Sequence, residues 1–279
     1  TLGESFDPAS ITTLGEFTGL LDKLVAAGME RPLSLAKEDW SLGAHQLQYI
    51  YETYEGTSEG AQEIIEDIKD GRVDLKSYDR MSEFLDMFDI LKKYNVAKGD
   101  PLGADYDEMA IDLADGKTAF WFNGNWAWPN LSEAGAESED EYGFLPYFLN
   151  NDAGDFVNRQ IQASPSKQVM LDGQYASEQE QKAAKEFLNW IVFSEIGQQM
   201  LVKTCNIIPP FQNNPYEPLD PLSRNIYERV HEDGAFNASA IVPNDHWAVL
   251  GASMQKYLAG RSDRKELMSD IQKYWDEQE

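Results

Sequence analysis

Residues 120–130 read FWFNGNWAWPN, with Trp121, Trp126 and Trp128 crowded around Asn123, Gly124 and Asn125. Indole is a large, rigid, flat apolar surface, so little entropy is lost when something lies on it. Amide side chains donate and accept hydrogen bonds. Together they suit a ligand with apolar faces and a polar rim. A pyranose ring is such a ligand: C–H bonds on its faces, hydroxyls at its edge, each hydroxyl needing a partner when it leaves water. Trp126 is the leading candidate for the platform, with Asn123 and Asn125 for the rim; Trp121 and Trp128 read as core. Trp40 behind Glu38 and Asp39 forms a second group, and Trp247 behind Asp245 and His246 a third. Arg159, beside Asn158, offers a fork of donors that fits vicinal hydroxyls.

Covalent chemistry has no comparable signature. The sequence contains no Walker A loop, dinucleotide fingerprint, nucleophile elbow, HExxH or EF-hand loop. Cys205 is the single cysteine, so no intrachain disulfide forms; its apolar surroundings predict a buried, inert thiol. His45, His231 and His246 lack metal-ligand spacing. No cofactor and no metal site is expected.

The elements that position these residues follow from periodicity. Thr13 and Glu16 have capping-box spacing, and Leu14, Phe17, Leu21, Leu24 and Val25 recur at helical intervals up to Gly28. Pro32 to Ala36 reads as a short strand. Helices are predicted over 42–54, 59–70, 78–94 and 106–114. Thr118 to Phe122 reads as a strand buried on both faces, delivering Asn123 and Trp126 at its end, with Gly124 to turn the chain. Further strands are predicted over 142–148 and 156–163. Ser177 and Glu180 cap a helix carrying Phe187, Leu188, Trp190 and Ile191, with Trp190 read as core. Helices follow over 196–203, 221–231, 247–258 and 263–275, the last with Ser262 as its N-cap and Trp275 in the core. Many helices with scattered short strands point to a layered α/β domain.

Size and charge limit the alternatives. The chain has 279 residues, 42% apolar and 12% aromatic, enough for a substantial core. Its 49 acidic residues against 23 Lys and Arg give a formal charge of −26, which opposes binding to nucleic acid or anionic lipid. No membrane span or signal peptide is legible.

Four stretches, in order, resemble extracellular solute-binding protein family 1, the sugar-binding proteins of ABC importers of the maltose-binding type. Asp115-Gly-Lys-Thr-Ala-Phe-Trp-Phe-Asn-Gly-Asn-Trp-Ala-Trp128 is similar to the family's "GK-apolar-NG-x-W-A-W" segment. Ala184 to Trp190, continuing through Ser194-Glu195 and Gly197-Gln198 to Ile208-Pro209, resembles its "AKEFL…SEEGQ…IP" segment. Thr13 to Gly28 resembles the helix that opens its second lobe. Asp245 to Val249, with Tyr257 to Gly260, resembles its closing helices.

The resemblance implies a periplasmic-binding-protein-like II fold. Residues 1–155 form the mostly helical main part of the second lobe with a short mixed sheet. Residues 156–215 cross over to the first lobe, and 216–279 are the closing helices of the second. Every match falls in the later part of such a protein, so a chain lacking most of the first lobe is expected, with a bare face open to self-association. It also implies a carbohydrate ligand, an ABC transporter permease as partner, an extracellular or periplasmic location and no catalysis. The loop of Glu38, Asp39 and Trp40 would supply a cleft aromatic and an acceptor carboxylate, and Trp247 a second stacking ring. Two other readings remain open: a carbohydrate-active hydrolase, which needs a pair of carboxylates, and a protein–protein interaction module.

Overall fold

The computed structural model describes residues 6–165 and 169–278. In chain order it has α1 (Leu14–Ala26), β1 (Leu33–Ser34), a π-helical turn (Ser41–Gln46), α2 (Tyr49–Glu52), α3 (Ser58–Lys69), α4 (Asp79–Tyr94), α5 (Tyr106–Ala114), β2 (Phe120–Trp121), α6 (Trp128–Glu133), β3 (Ile161–Gln162), α7 (Glu178–Phe193), α8 (Glu195–Gln199), a second π-helical turn (Met200–Thr204), α9 (Pro221–His231), β4 (Ala235–Phe236), α10 (His246–Leu258) and α11 (Arg264–Asp276).

Helix ends follow the local chemistry. Ser177 and Glu180 close a reciprocal capping box on α7. Thr13 caps α1, but Glu16 reaches back to the Thr12 amide and hydroxyl instead of to Thr13. The N-cap of α11 is Asp263, paired with Glu266 in a box, so Ser262 does not serve there.

Strands are much shorter than the pattern suggested. β1 pairs with β2 and β3 with β4, both in parallel, each over two residues. Residues 142–148 make no ladder; Tyr147, Phe148 and Leu149 are buried in the core without regular secondary structure. The segment 156–163 opens as a 3₁₀ turn, Phe156–Asn158, before β3. Phe120 and Trp121 are half-buried, so β2 is not sealed on both faces.

One large core joins α1, α3, α4, α10 and α11 around Leu21, Ile50, Ile64, Phe84, Phe88, Met254 and Ile271. A smaller one gathers Ala110, Trp128, Leu131, Ala136 and Leu222. Asn158 holds a turn of the first core: it accepts from the Leu149 amide at 3.0 Å and donates to the Asn150 and Asp152 carbonyls. Arg80 bridges Glu83 and Asp155 at 2.8 and 2.7 Å.

Residues 169–218 differ from the rest. Helix α7 has no buried residue; Phe193 is 71% and Trp190 40% exposed, so Trp190 is not core. Cys205, the residue after the second π-helical turn, is exposed and not buried as its apolar neighbours predict. Among the described residues, no hydrogen bond, ion pair or ring contact ties 169–218 to the remainder. The segment's polar contacts are internal, as in Gln198 donating to the Val192 and Asn213 carbonyls at 2.8 and 3.2 Å.

Candidate ligand-binding site

β1 leads through Leu35 and Ala36, both buried, to Glu38, Asp39 and Trp40 at the mouth of the first π-helical turn. In that turn the Leu47 amide bonds the Leu42 carbonyl at 3.0 Å, five residues back. Such a widened turn brings residues five apart onto one face. His45 therefore meets Trp40, ring centroids 5.7 Å apart, edge to face.

His45 also lies against Trp126, at 4.7 Å and 34°. Trp126 arrives from the end of β2 through Asn123 and Gly124. Gly124 is extended, not left-handed, so backbone freedom is not its contribution. What matters is its missing side chain: a Cβ there would lie 2.3 Å from the Trp126 indole, which folds back over it. Trp126 stays 43% exposed. Asn125 donates to the Ser223 hydroxyl at 3.1 Å and so ties this turn to α9.

Tyr106, at the start of α5, completes the group. Its ring is 6.2 Å from Trp40 and 4.8 Å from Trp121, and its hydroxyl accepts from Asn123 Nδ2 at 2.9 Å. Burial pushes the Tyr106 hydroxyl pKa up; Asn123 and the Trp126 indole pull it back. Glu38 stands near enough for its charge to act on that hydroxyl. Glu38 is half-buried, and its Oε2 is shielded from water with no hydrogen-bond partner among the described residues. Asp39 accepts from the Trp40 amide at 2.8 Å, which holds the loop's shape.

Helix α10 crosses the π-helical turn at close range, with glycine on each side of the crossing. A Cβ on Gly43 would be 2.3 Å from the Trp247 carbonyl oxygen, and one on Gly251 would be 2.5 Å from the Asp39 carbonyl oxygen. That crossing sets the Trp247 backbone three residues along from Trp40. The Trp247 indole is 41% exposed and makes no ring contact with the other aromatics among the described residues.

The remaining sequence candidates lie elsewhere. His246 is fully buried, not at a rim: its Nε2 is 3.3 Å from the Tyr51 hydroxyl, and Tyr274 and Trp275 flank its ring. The reason is register, since His246 falls on the inward stripe of Leu250, Met254 and Tyr257. Asp245 accepts from the Tyr274 hydroxyl at 2.9 Å without capping the helix through its side chain. Arg159 is exposed and follows the 3₁₀ turn, and its guanidinium has no hydrogen-bond or ion-pair partner among the described residues. His45 and Tyr106, by contrast, were not singled out from sequence. His45 carried a faint signal, five places after Trp40 in a predicted helix; nothing local connects Tyr106 to residue 40.

The group thus brings together indole, imidazole and phenol rings with the Glu38 carboxylate, the Asn123 amide and the Tyr106 hydroxyl. Among the described residues, no set of His, Cys, Asp or Glu side chains is grouped to hold a metal ion. No described helix is long and apolar enough to cross a membrane.

The pattern that defines one protein family, described as bacterial extracellular solute-binding protein, matches residues 4–218. Trp40, Tyr106 and Trp126 fall inside the match; α10 with Trp247 falls beyond it. No curated protein matches the chain.

Proposed function

Because the chain belongs to the bacterial extracellular solute-binding proteins, we propose that it binds a carbohydrate, a mono- or oligosaccharide, and delivers it to the permease of an ABC importer without chemical change. The observation that carries this reading is the convergence of Trp40, His45, Tyr106 and Trp126 beside Glu38 and Asn123. A sugar face resting on the open side of Trp126 meets apolar surface, while its hydroxyls meet the carboxylate and amide. Trp247, Asn125 and Asp39 are read as further contacts for the ligand; Asp245, Arg159 and the buried His246 are assigned none.

The fold is read as periplasmic-binding-protein-like II, with 1–155 and 216–279 in one lobe and 156–215 belonging with the other. The internal contacts of 169–218 and the exposed faces of Phe187, Trp190 and Phe193 support that division. Closure of two lobes on a ligand is the expected action.

Titration calorimetry with a panel of gluco-, manno- and xylo-oligosaccharides tests the proposal. Trp126→Ala should weaken the best binder on the order of 30-fold, the loss of about 2 kcal/mol expected of a central aromatic anchor. An unchanged affinity in the variant, or no heat with any sugar, would remove the basis for the reading.

A further inference from the structure

Asn-Gly occurs once in the chain, at Asn123-Gly124; every other asparagine precedes a residue that carries a side chain. Glycine leaves the following amide least shielded, so this is where an asparagine side chain most readily closes on its own backbone. The Gly124 amide points at that side chain, donating to Asn123 Oδ1 at 3.0 Å. No backbone carbonyl takes this amide among the described residues. The carboxamide carbon Cγ, bonded to Oδ1, therefore lies beside the Gly124 nitrogen. On the other side of the same carbon, Nδ2 donates to the Tyr106 hydroxyl at 2.9 Å. Asn123 and Gly124 are only half-buried and keep contact with water. A residue with a side chain at position 124 would slow the closure, and none fits: its Cβ would lie 2.3 Å from the Trp126 indole. The packing that folds Trp126 back thus keeps the reactive dipeptide in place.

We propose that Asn123 is a self-modifying position: the folded site converts this amide to aspartate and isoaspartate, and the Tyr106 hydroxyl delivers the proton that leaves with ammonia. Solvent base takes the Gly124 amide proton. The nitrogen attacks Cγ, forming the N–Cγ bond of a cyclic imide and placing the negative charge on Oδ1. The charge returns to the carbonyl as the Cγ–Nδ2 bond breaks, and Nδ2 departs as ammonia with the Tyr106 hydroxyl proton, which solvent replaces. Water then opens the imide at either carbonyl, giving aspartate or isoaspartate; no oxidant or reductant takes part. The contact with Tyr106 reverses during the step. As an amide Nδ2 only donates, but once Cγ is tetrahedral it is an amine with a lone pair, and the hydroxyl donates to it. Burial keeps that hydroxyl protonated, as a proton donor requires. The consequence for the ligand rests on the function proposed above. Either product replaces an amide at the rim with a negative charge, next to the hydroxyl on which the Glu38 charge already acts. Isoaspartate also lengthens the main chain ahead of Trp126.

The test incubates the full chain at mildly alkaline pH, folded and in concentrated urea, and follows residue 123 by peptide mapping with mass spectrometry that separates aspartate from isoaspartate. The expected result is conversion in the folded protein at least as fast as in urea. Tyr106→Phe, which keeps the ring that packs on Trp40 and Trp121, should slow the folded protein by at least about tenfold and leave the rate in urea unchanged. Conversion slower in the folded protein than in urea, or a folded Tyr106→Phe protein that converts at the parent's rate, would overturn the proposal; the first comparison needs no variant. Neither reading involves a ligand, so both are independent of the carbohydrate assignment. The converted fraction, separated by charge, should bind the best oligosaccharide at least about tenfold more weakly. Undiminished binding by that fraction would overturn the stated consequence for the ligand.

Discussion

Gly43→Ala should cost at least about 3 kcal/mol of unfolding free energy, at or beyond the upper end of overpacking penalties in cores. The added methyl would sit 2.3 Å from the Trp247 carbonyl oxygen, 2.8 Å from the Gly251 amide nitrogen and 3.0 Å from the Gly251 Cα. All three are backbone atoms of α10, so no rotamer change relieves the clash. The helix must move away from the π-helical turn, and Trp247 moves with it. Gly251→Ala should behave alike, since its methyl meets the Asp39 carbonyl oxygen at 2.5 Å. Gly19→Ala is the internal control. It lies within α1 with nothing within 4 Å of the new carbon, so alanine should raise stability by up to about 1 kcal/mol through helix propensity. Urea unfolding of the three variants reads the difference. Equal effects at positions 19 and 43 would mean that the close crossing is absent.

The second large effect is a pair of opposed pH dependences. Burial raises the Glu52 carboxyl from 4.5 to about 7. The folded chain then keeps a proton that the unfolded chain has released, so this group's contribution falls as pH rises from about 4.5 to about 7. Burial also lowers His246 from 6.5 to about 4, with Asp245 opposing weakly. There the unfolded chain binds the proton first, so the contribution falls as pH drops from about 6.5 to about 4. Each amounts to roughly 3 kcal/mol over its full range, and between about pH 4.5 and 6.5 the two offset. Single variants expose them. Relative to the starting protein, Glu52→Gln should gain about 3 kcal/mol as pH rises from 4.5 to 7, while His246→Phe should fall behind by a similar amount between 4 and 6.5. Other carboxylates cancel in these differences. Parallel curves for all three proteins would show that neither group is perturbed by its surroundings.

Helices were the most legible part of the fold because their signals are local. Ser177 with Glu180, and the stripe of Met81, Phe84, Leu85, Phe88 and Leu91, state their own boundaries and inward face. Strands were not legible at their true length. β1 and β2 are parallel partners far apart in sequence, and what limits each to two residues is the partner's position, which neither segment encodes alone. Trp190 shows a related limit: an amphipathic helix announces a face that wants covering, not whether a cover is present. At the candidate site the indoles were recognisable by type, since flat rigid rings beside amides suit a ligand with apolar faces and a polar rim. Their arrangement was not. The π-helical turn differs from an ordinary helix only in where its hydrogen bonds close, and that brings His45 onto Trp40, where Trp126 from the end of β2 also meets it. His246 and Trp247 are neighbours with opposite fates. The stripe through Leu250 and Met254 assigns His246 inward, a distinction available from periodicity though outweighed by its polar side chain.

The seven indoles supply site-resolved reporters for the central claim. Their Nε1–H signals can be assigned by single replacement and followed while the best-binding oligosaccharide is added. The account predicts that the Trp126 and Trp40 signals shift together along one saturable curve, while Trp128, Trp190 and Trp275 stay in place. Saturable shifts confined to Trp190, or saturable binding that leaves Trp126 and Trp40 unmoved, would contradict it.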